Sequence, residues 1–170
     1  MTAAVTIRPA QSSDADALRT IYNWAVANST ATMDTEPRSA EAQAAWLATH
    51  DGAPYPALVA VAGEEGAVLG YASLSPYIPK AGYATTAEVS VYVHPDWHGR
   101  GIGAALLEAL IQEARERGFV SLLALITADN EASLRLHRRF GFVDAGLLRR
   151  VGRKFDRWLD VAFLQRWLDE

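Results

Sequence analysis

The chain has 170 residues and a formal net charge of −4, and half of its residues are hydrophobic. This length fits one domain with a single hydrophobic core. The acidic balance argues against a general nucleic-acid-binding protein, and the absence of cysteine excludes disulfides, thiolate metal sites and a cysteine nucleophile. We see neither a signal peptide nor an apolar run long enough for a membrane helix, so we expect a cytoplasmic protein.

The first half of the chain predicts a strand, two helices and a hairpin. The strand covers residues 5–8, and a helix capped by Ser13 or Asp14 follows it to about Asn28. Apolar residues at helical spacing form the inner face of this helix: Ala17, Leu18, Ile21, Trp24 and Ala25. A second helix is expected over 39–50. The hairpin has strands 57–62 and 68–74, joined by a turn at 63–66.

The second half predicts a loop at 75–84, then alternating strands and helices. Val89, Val91 and Val93 alternate with polar or aromatic residues, which is typical of a strand over 89–94. A helix begins at Ile102, a strand covers 121–127, and a helix over 131–140 ends at Gly141. Closing strands are expected at 142–145 and 158–164. Because no repeat or linker is visible, we expect one α+β domain over residues 1–170, with a central mixed sheet.

Three glycines lie between the strand at 89–94 and the helix that follows it. Gly99, Gly101 and Gly103 leave backbone N–H groups bare where that helix begins. Such a site binds anions, because unpaired donors and the helix dipole both favour negative charge. The loop therefore predicts a phosphate-bearing cofactor.

The glycine loop has two alternative interpretations. Residues 99–104 satisfy G-x-G-x-x-A, a dinucleotide-binding fingerprint, and Asp129 follows at the end of the next strand. The context argues against it, because four residues separate strand from loop and only one strand–helix–strand unit follows. A glycine-rich turn without a ligand is the other alternative, although three glycines cost conformational entropy that a mere turn would not require.

The loop resembles motif A of the GNAT superfamily of N-acetyltransferases, Q/R-x-x-G-x-G/A, with His98 where Gln or Arg is usual. The resemblance implies that the loop amides hold the pyrophosphate of coenzyme A and that the preceding strand pairs with the pantetheine arm. The implied cofactor-binding residues are Val91, Tyr92, Val93, Gly99, Arg100, Gly101, Ile102, Gly103 and Ala104.

Residues 130–142 resemble motif B of the same superfamily, N-x-x-(A/S)-x-x-x-Y-x-x-x-G-F. The resemblance implies that Asn130 bonds the pantetheine amide and that Ser133 belongs to the cofactor site. His137 stands where tyrosine is usual. It is expected to protonate the departing thiolate or to contact the substrate, and the alternative is a histidine packed beneath the sheet.

The whole chain resembles the branch that acetylates phosphinothricin and methionine sulfoximine. Matching features are Thr35-Glu36-Pro37, Tyr83, Glu88, His137 and the tail at 152–160. The resemblance implies a three-layer fold with about six to seven strands, acetyl-CoA as co-substrate, an amino-acid-like amine as acceptor and a homodimer. Another amine (a polyamine or an aminoglycoside) and a non-catalytic acyl-CoA binding module remain as alternatives.

Glu88 is the expected general base. An amino group that titrates at roughly 8 to 10 is mostly protonated near neutral pH, so a proton must be removed before attack on the thioester. Glu88 precedes the strand that would carry the cofactor. A bulge in that strand would free N–H groups to polarise the thioester carbonyl.

Acceptor selection is expected from the loop at 75–87. In the branch this loop grips the carboxylate and the tetrahedral group of the substrate, but here Lys80 stands where Arg is common, and a lysine lacks the bidentate fork. The expected substrate-binding residues are Tyr77, Ile78, Pro79, Lys80, Tyr83, Glu88, Val89, Ser90 and Lys154.

Three further expectations concern the surface and possible metals. The apolar residues of the C-terminal region form either core or a dimer face: Trp158, Phe163, Leu164 and Trp167. His94 and His98 are four residues apart, but Pro95 and Gly99 argue against a helix there, so we expect no metal site. Asp156 stands where the branch usually has glycine.

Overall fold

The computed structural model describes residues 4–52, 54–63 and 66–169. Its strands and helices, in chain order, are β1 (Val5–Pro9), α1 (Ala15–Asn28), α2 (Ala40–Ala48), β2 (Ala57–Ala62), β3 (Val68–Pro76), β4 (Thr86–Val93), α3 (Ile102–Glu116), β5 (Ser121–Thr127), α4 (Glu131–Arg139), β6 (Val143–Lys154) and β7 (Arg157–Trp167). The strands form one sheet in the order β1-β2-β3-β4-β5-β7-β6. Only β4 and β5 are parallel, so the predicted mixed sheet is confirmed.

Helices cover both faces of the sheet, as the three-layer prediction requires. On one face, Leu106, Leu107 and Leu110 of α3 are completely buried against the sheet. On the other face, Leu18 of α1 packs with Tyr71 and with other residues of β2 and β3. Each helix buries its apolar side because those residues recur every three to four positions, which places them on one stripe.

The parallel pair β4–β5 is joined over three residues only. The pairing runs from Thr86 opposite Ser121 to Glu88 opposite Leu123, and then it stops. Strand β4 begins earlier than predicted, so Glu88 lies inside it rather than before it. The predicted bulge is wrong, because β4 pairs with β3 in one unbroken register from Ala87 to Val93. Divergence from β5, and not a bulge, frees the backbone groups of β4.

The two closing strands are much longer than predicted. Two register shifts interrupt β6, which broke the alternation that would have revealed a long strand in the sequence. Phe155 and Asp156 connect β6 to β7 with φ angles of 52° and 57°. Positive φ at both central residues is the geometry of a tight hairpin turn. Glycine suits position 156 because it adopts positive φ without strain. Aspartate can replace it because aspartate tolerates the left-handed conformation better than most residues.

The first helix differs from its prediction at its start and on its inner face. Asp14, and not Ser13, organises the start: its carboxylate accepts from the Gln11 N–H at 2.7 Å and from Arg8 at 2.8 and 2.9 Å. Tyr22 joins the buried face, whereas Trp24 remains 37% exposed.

Two other observations complete the fold. The predicted turn at 63–66 includes positions 64 and 65, which lie outside the described residues. Across the part of the chain that the structure describes, none of the helices is both long enough and apolar enough to span a membrane.

Candidate active site

A cleft of about 1020 Å³ opens where β4 and β5 diverge. The free edges of these strands form its floor, the start of α3 forms one end, and α4 forms a side. A further wall comes from residues 29–33, which follow α1 and which we call the wall segment. Residues of β6 and β7 also reach the cleft. The cleft exists because parallel strands that are no longer hydrogen-bonded leave two free edges facing each other.

The glycine loop lies at one end of the cleft and has the geometry of an anion cradle. Gly99 and Gly101 have φ angles of 72° and 81°. No heavy atom lies within 4 Å of the place where their Cβ atoms would stand, so backbone conformation rather than space requires glycine. The N–H groups of Ile102, Gly103 and Ala104 begin α3 and have no carbonyl partner within that helix. The residues present therefore fit a phosphate group.

His98, which departs from motif A, ties the loop to the sheet. Its Nε2 donates to the carbonyl of Val93 at 2.9 Å, and its ring lies edge-on to Trp24 with 5.7 Å between centroids. This bond spans the turn between β4 and the glycine loop. The His98 bond holds the glycine loop in place, and the His98 side chain is not one of the N–H donors at the start of α3.

The cofactor-facing edge of β4 offers backbone groups. Val91, Tyr92 and Val93 line the cleft and lie beyond the last residue pair shared with β5. The ring of Tyr92 packs between Tyr22 and Tyr71, at 5.3 and 5.4 Å, on the α1 face of the sheet. Burial there raises the pKa of the Tyr92 hydroxyl well above its usual value. The N–H and C=O groups of Tyr92 face β3 opposite Tyr71, so its main chain belongs to the sheet and its ring to the core, whereas Val91 and Val93 turn their backbone groups to the free edge.

Asn130 caps α4 at the edge of the cleft. Its Oδ1 accepts from the Ser133 N–H at 3.2 Å, which leaves its amide NH₂ available to a ligand. Both residues line the cleft together with Arg135 and Arg139, two cations of α4 that motif B did not identify. Their charge suits a phosphate-bearing molecule.

His137 is buried, with 3% of its surface exposed, and it lines the same cleft. Its Nδ1–H donates to the Ser133 carbonyl at 2.8 Å, and its ring lies edge-on to Phe142 at 5.2 Å. Nε2 is buried and has no hydrogen-bond partner among the described residues. Because Nδ1 carries the proton of a neutral ring, Nε2 is an acceptor. Burial also lowers the pKa of His137.

The geometry of His137 favours an acceptor role for Nε2, and its expected role as a proton donor stays a prediction. Donation to a thiolate from Nε2 would require the doubly protonated ring, which burial disfavours. His137 is packed in the interior and also lines the cleft. Its position is therefore compatible with both expectations from the sequence, a residue of the site and a packed histidine.

Glu88 is half-buried and lines the cleft at the point where the strands separate. Burial raises the pKa of its carboxyl above the usual value. Side chains alternate along a strand, so Glu88 shares the α1 face of β4 with Ser90 and Tyr92. A carboxylate with a raised pKa in a cleft is a candidate general base.

The predicted acceptor loop lies elsewhere. Of the expected substrate residues, only Glu88, Val89 and Ser90 line the cleft. The loop between β3 and β4 joins the sheet beyond the closed end of the strand pair, which keeps its side chains out of this cleft. Five expected substrate residues lie on this loop, and their contact with the acceptor stays a prediction: Tyr77, Ile78, Pro79, Lys80 and Tyr83.

Lys154, which the resemblance places near the substrate, lies behind the cleft wall in this structure, and its contact with the substrate stays a prediction. Its side chain is 4% exposed and does not line the cleft. Its Nζ donates to the carbonyls of Ser29 at 2.6 Å, Thr32 at 2.9 Å and Ala25 at 3.4 Å. Desolvation lowers the pKa of the amine, although nearby Asp34 acts in the opposite direction.

Of the wall segment, the resemblance to the branch placed only Met33 at the substrate pocket, and the other four residues were missed. Ser29, Thr30, Ala31, Thr32 and Met33 all line the cleft. Their sequence is polar and without periodicity, so it predicts only a loop. The one available signal was that such loops often carry function when a rigid scaffold positions them.

The apolar C-terminal residues divide between core and surface. Leu164 is completely buried, and Phe163 lines the cleft. Trp158 and Trp167 are 55% and 45% exposed. Within the described ranges, no three histidine, aspartate or glutamate side chains are grouped so that they could hold a metal ion.

Known proteins match both the sequence and the fold. The chain is 43% identical over 166 residues to the L-methionine sulfoximine/L-methionine sulfone acetyltransferase of Pseudomonas aeruginosa, covering 98% of this chain and 96% of that protein. It is 44% identical over 170 residues to the phosphinothricin N-acetyltransferase of Streptomyces coelicolor, with 97% of each covered.

A solved phosphinothricin acetyltransferase from Sinorhizobium meliloti, in complex with acetyl-CoA, superposes with a TM-score of 0.92 at 39% identity. The match covers 99% of this chain and 89% of that one. A model of the acetyltransferase (GNAT) family matches residues 18–142. These residues include the glycine cradle, Glu88 and His137, so the chain belongs to the GNAT family of acetyltransferases.

Proposed function

We propose that this protein transfers the acetyl group of acetyl-CoA to the primary amine of a small amino-acid-like substrate, with Glu88 as the general base. The acceptor is of the phosphinothricin, methionine sulfoximine or methionine sulfone type. One observation carries the proposal: Glu88, whose pKa burial raises, lies in the same cleft as the glycine cradle.

The cleft has a place for each part of acetyl-CoA. The N–H groups that begin α3 suit the pyrophosphate, the free edge of β4 suits the pantetheine amides, and the Asn130 amide can bond the same arm. When bound, acetyl-CoA supplies an activated acetyl thioester. The chain's residues would hold that thioester beside β4, close to Glu88.

Glu88 would remove the proton that keeps the acceptor amine from attacking. Burial raises the pKa of Glu88, which makes its carboxylate a stronger base than that of an exposed glutamate. Beyond Glu88, the N–H groups of β4 that face β5 lack strand partners. One of them would donate to the thioester oxygen as negative charge develops there.

His137 would accept a hydrogen bond through Nε2. The neutral ring offers this nitrogen as its only acceptor, and the proton on Nδ1 is held by Ser133. An N–H of the acceptor or a water molecule in the cleft would satisfy it. Its role would therefore be to orient the amine or to relay its proton, in place of the donation that the sequence predicted.

The acceptor class is supported by two of the matched relatives. Their printed substrates, methionine sulfoximine or sulfone and phosphinothricin, are amino acids with a tetrahedral sulfur or phosphorus group. The cleft that holds Glu88 is also lined by Met33, which suits the aliphatic part of such a molecule.

We also propose a homodimer formed through the β6–β7 hairpin, in which β6 is the edge strand of the sheet. The apolar side chains there, each about half exposed, are Val143, Leu147, Leu148, Val151, Phe155 and Trp158. An exposed apolar edge of this length is typical of an interface rather than of a free surface. Sedimentation equilibrium at micromolar concentration tests the dimeric state. A cytoplasmic location stays a prediction.

Thiol release from acetyl-CoA tests the function directly. The acceptors to compare are phosphinothricin, methionine sulfoximine, methionine sulfone, a polyamine and an aminoglycoside. We expect turnover with at least one of the first three. Turnover only with the polyamine or aminoglycoside would overturn the acceptor class, and acetyl-CoA binding without any turnover would support the non-catalytic alternative.

A further inference from the structure

We infer that Lys154 is a positioning residue for the acceptor side of the cleft: from the tip of the β6–β7 hairpin, its ammonium group fixes the wall segment, residues 29–33. This inference rests on the proposed function for its kinetic consequence. Its structural consequence can be measured without any turnover.

The ammonium of Lys154 has three backbone partners, all on α1 or just after it. Nζ donates to the carbonyls of Ala25, Ser29 and Thr32. Three convergent acceptors satisfy the three donors of an ammonium group. The carbonyls at the end of a helix carry partial negative charge, which favours a cation there. Lys154 thus closes the end of α1 and holds the turn that follows it.

Other bonds to the wall segment come from the same side of the molecule. Thr127 Oγ1 donates to the Thr30 carbonyl at 3.0 Å, and Thr30 Oγ1 donates to Asp129 at 2.8 Å. Arg157, at the start of β7, bonds the same carboxylate at 2.9 Å. Among these partners only Lys154 is both buried and charged, so its removal leaves carbonyls without a partner in a dry environment.

An independent contact joins the hairpin to the end of the wall segment. Met33 lines the cleft and packs against Gly152 of β6, two residues before Lys154. A Cβ atom at position 152 would stand 2.1 Å from Met33 Cε. The glycine therefore provides the space in which the methionine lies. Lys154 and Gly152 together determine where this wall stands relative to Glu88.

The position of the wall segment predicts that loss of the Lys154 bonds affects the acceptor more than acetyl-CoA. The segment lines the cleft and belongs to the chain after α1, whereas the glycine cradle is part of α3 and its preceding loop. Loss of the Lys154 bonds should loosen the acceptor site and leave the cradle in place. We expect the acceptor KM to rise about tenfold, as for lost hydrogen bonds to a charged group, with acetyl-CoA affinity within about twofold.

The test compares Lys154→Met with Arg153→Met, a control at the neighbouring, exposed position of the same strand. Hydrogen–deuterium exchange is measured on the peptide that covers residues 26–34. We expect exchange there to be at least about tenfold faster in Lys154→Met and unchanged in the control. Unchanged exchange in a folded Lys154→Met protein would overturn the inference, whether or not the protein is an enzyme.

The kinetic arm uses a second, independent pair of variants. Gly152→Ala should raise the acceptor KM by displacing Met33, and the same substitution should raise it much less in a Met33→Ala background, where the clash is absent. Equal changes in the acceptor KM and acetyl-CoA affinity of Lys154→Met would indicate general loosening and would contradict the inference. If wild-type protein acetylates none of the acceptors, the proposed function fails, and the exchange measurement still decides the role of Lys154.

Discussion

Glu88 of β4 and Leu123 of β5 form the last residue pair of the parallel ladder, and the two strands separate from that point onward. The candidate base therefore lies at the apex of the cleft. A carboxylate at this place is half-buried by the joined strands below it and open to the cleft above. The same strand separation thus creates both the free edge for the cofactor and the environment that raises the pKa of Glu88.

Replacement of Glu88 with glutamine should lower turnover by a factor of at least about 100, which is the usual contribution of a general base. The amide is nearly isosteric, so acetyl-CoA affinity should change by less than about twofold. Initial rates of thiol release and calorimetric titration with acetyl-CoA measure the two effects. Undiminished turnover would show that Glu88 is not the base.

The pH dependence of the reaction should report the same carboxyl group. Because burial raises the pKa of Glu88, kcat/KM should fall as the pH is lowered through a value above that of an ordinary glutamate. Glu88→Gln should lack this acidic limb while keeping any limb that belongs to the amine. A limb that persists in the variant would assign the titration to another group.

Replacement of His137 with phenylalanine tests its role as an acceptor. The ring would still pack against Phe142, but the buried Nε2 that has no partner among the described residues would be lost. We expect kcat to fall by about tenfold or more, while the melting temperature changes little. Wild-type kcat in this variant would leave His137 with a packing role alone.

Replacement of Gly101 with alanine should weaken acetyl-CoA binding. At φ 81° an L-residue costs roughly 1–2 kcal/mol, and relaxation of the loop would turn its N–H groups away from the phosphates. An increase of about tenfold in the dissociation constant is expected. Gly118→Ala is the matched control, because Gly118 has the same φ of 81° and open space around it but lies at the other end of α3. Equal acetyl-CoA affinities of the two variants would contradict the proposal that the glycine loop binds the phosphates.

Replacement of Asp14 with asparagine should lower the free energy of unfolding by about 2 kcal/mol at neutral pH, because it breaks a buried charged pair. Desolvation alone would raise the pKa of Asp14, but the hydrogen bonds from Arg8 and Gln11 together lower it. The stabilisation is therefore present above the ordinary aspartate pKa and is lost as the pH falls through the lowered value.

Denaturant titrations at several pH values measure this effect. The difference between the wild type and Asp14→Asn should shrink towards strongly acidic pH. Asp16→Asn is the control, because the Asp16 side chain is 87% exposed and its surface pair with Arg19 should contribute little. A difference that does not depend on pH would argue against the charged pair as its source.

The sequence by itself determined the family, the mixed sheet and the glycine loop that precedes α3. These features are local: strand alternation, helical spacing and the glycines at 99–103 are properties of neighbouring residues, and backbone N–H groups at a helix start need no distant partner. Asn130, Ser133 and His137 could be located for the same reason, since one short helix carries all three.

Only the tertiary structure decided what surrounds these residues. Lys154 is about 125 residues from the carbonyls that it bonds, and no spacing rule connects them. The long β6–β7 hairpin was hidden by register shifts, and the acceptor loop was expected in a cleft that it does not line. Which ring nitrogen of His137 carries the proton depends on which of them lies next to a backbone carbonyl. Glu88 was chosen from the sequence, but its place at the apex of the cleft follows from where two distant strands separate.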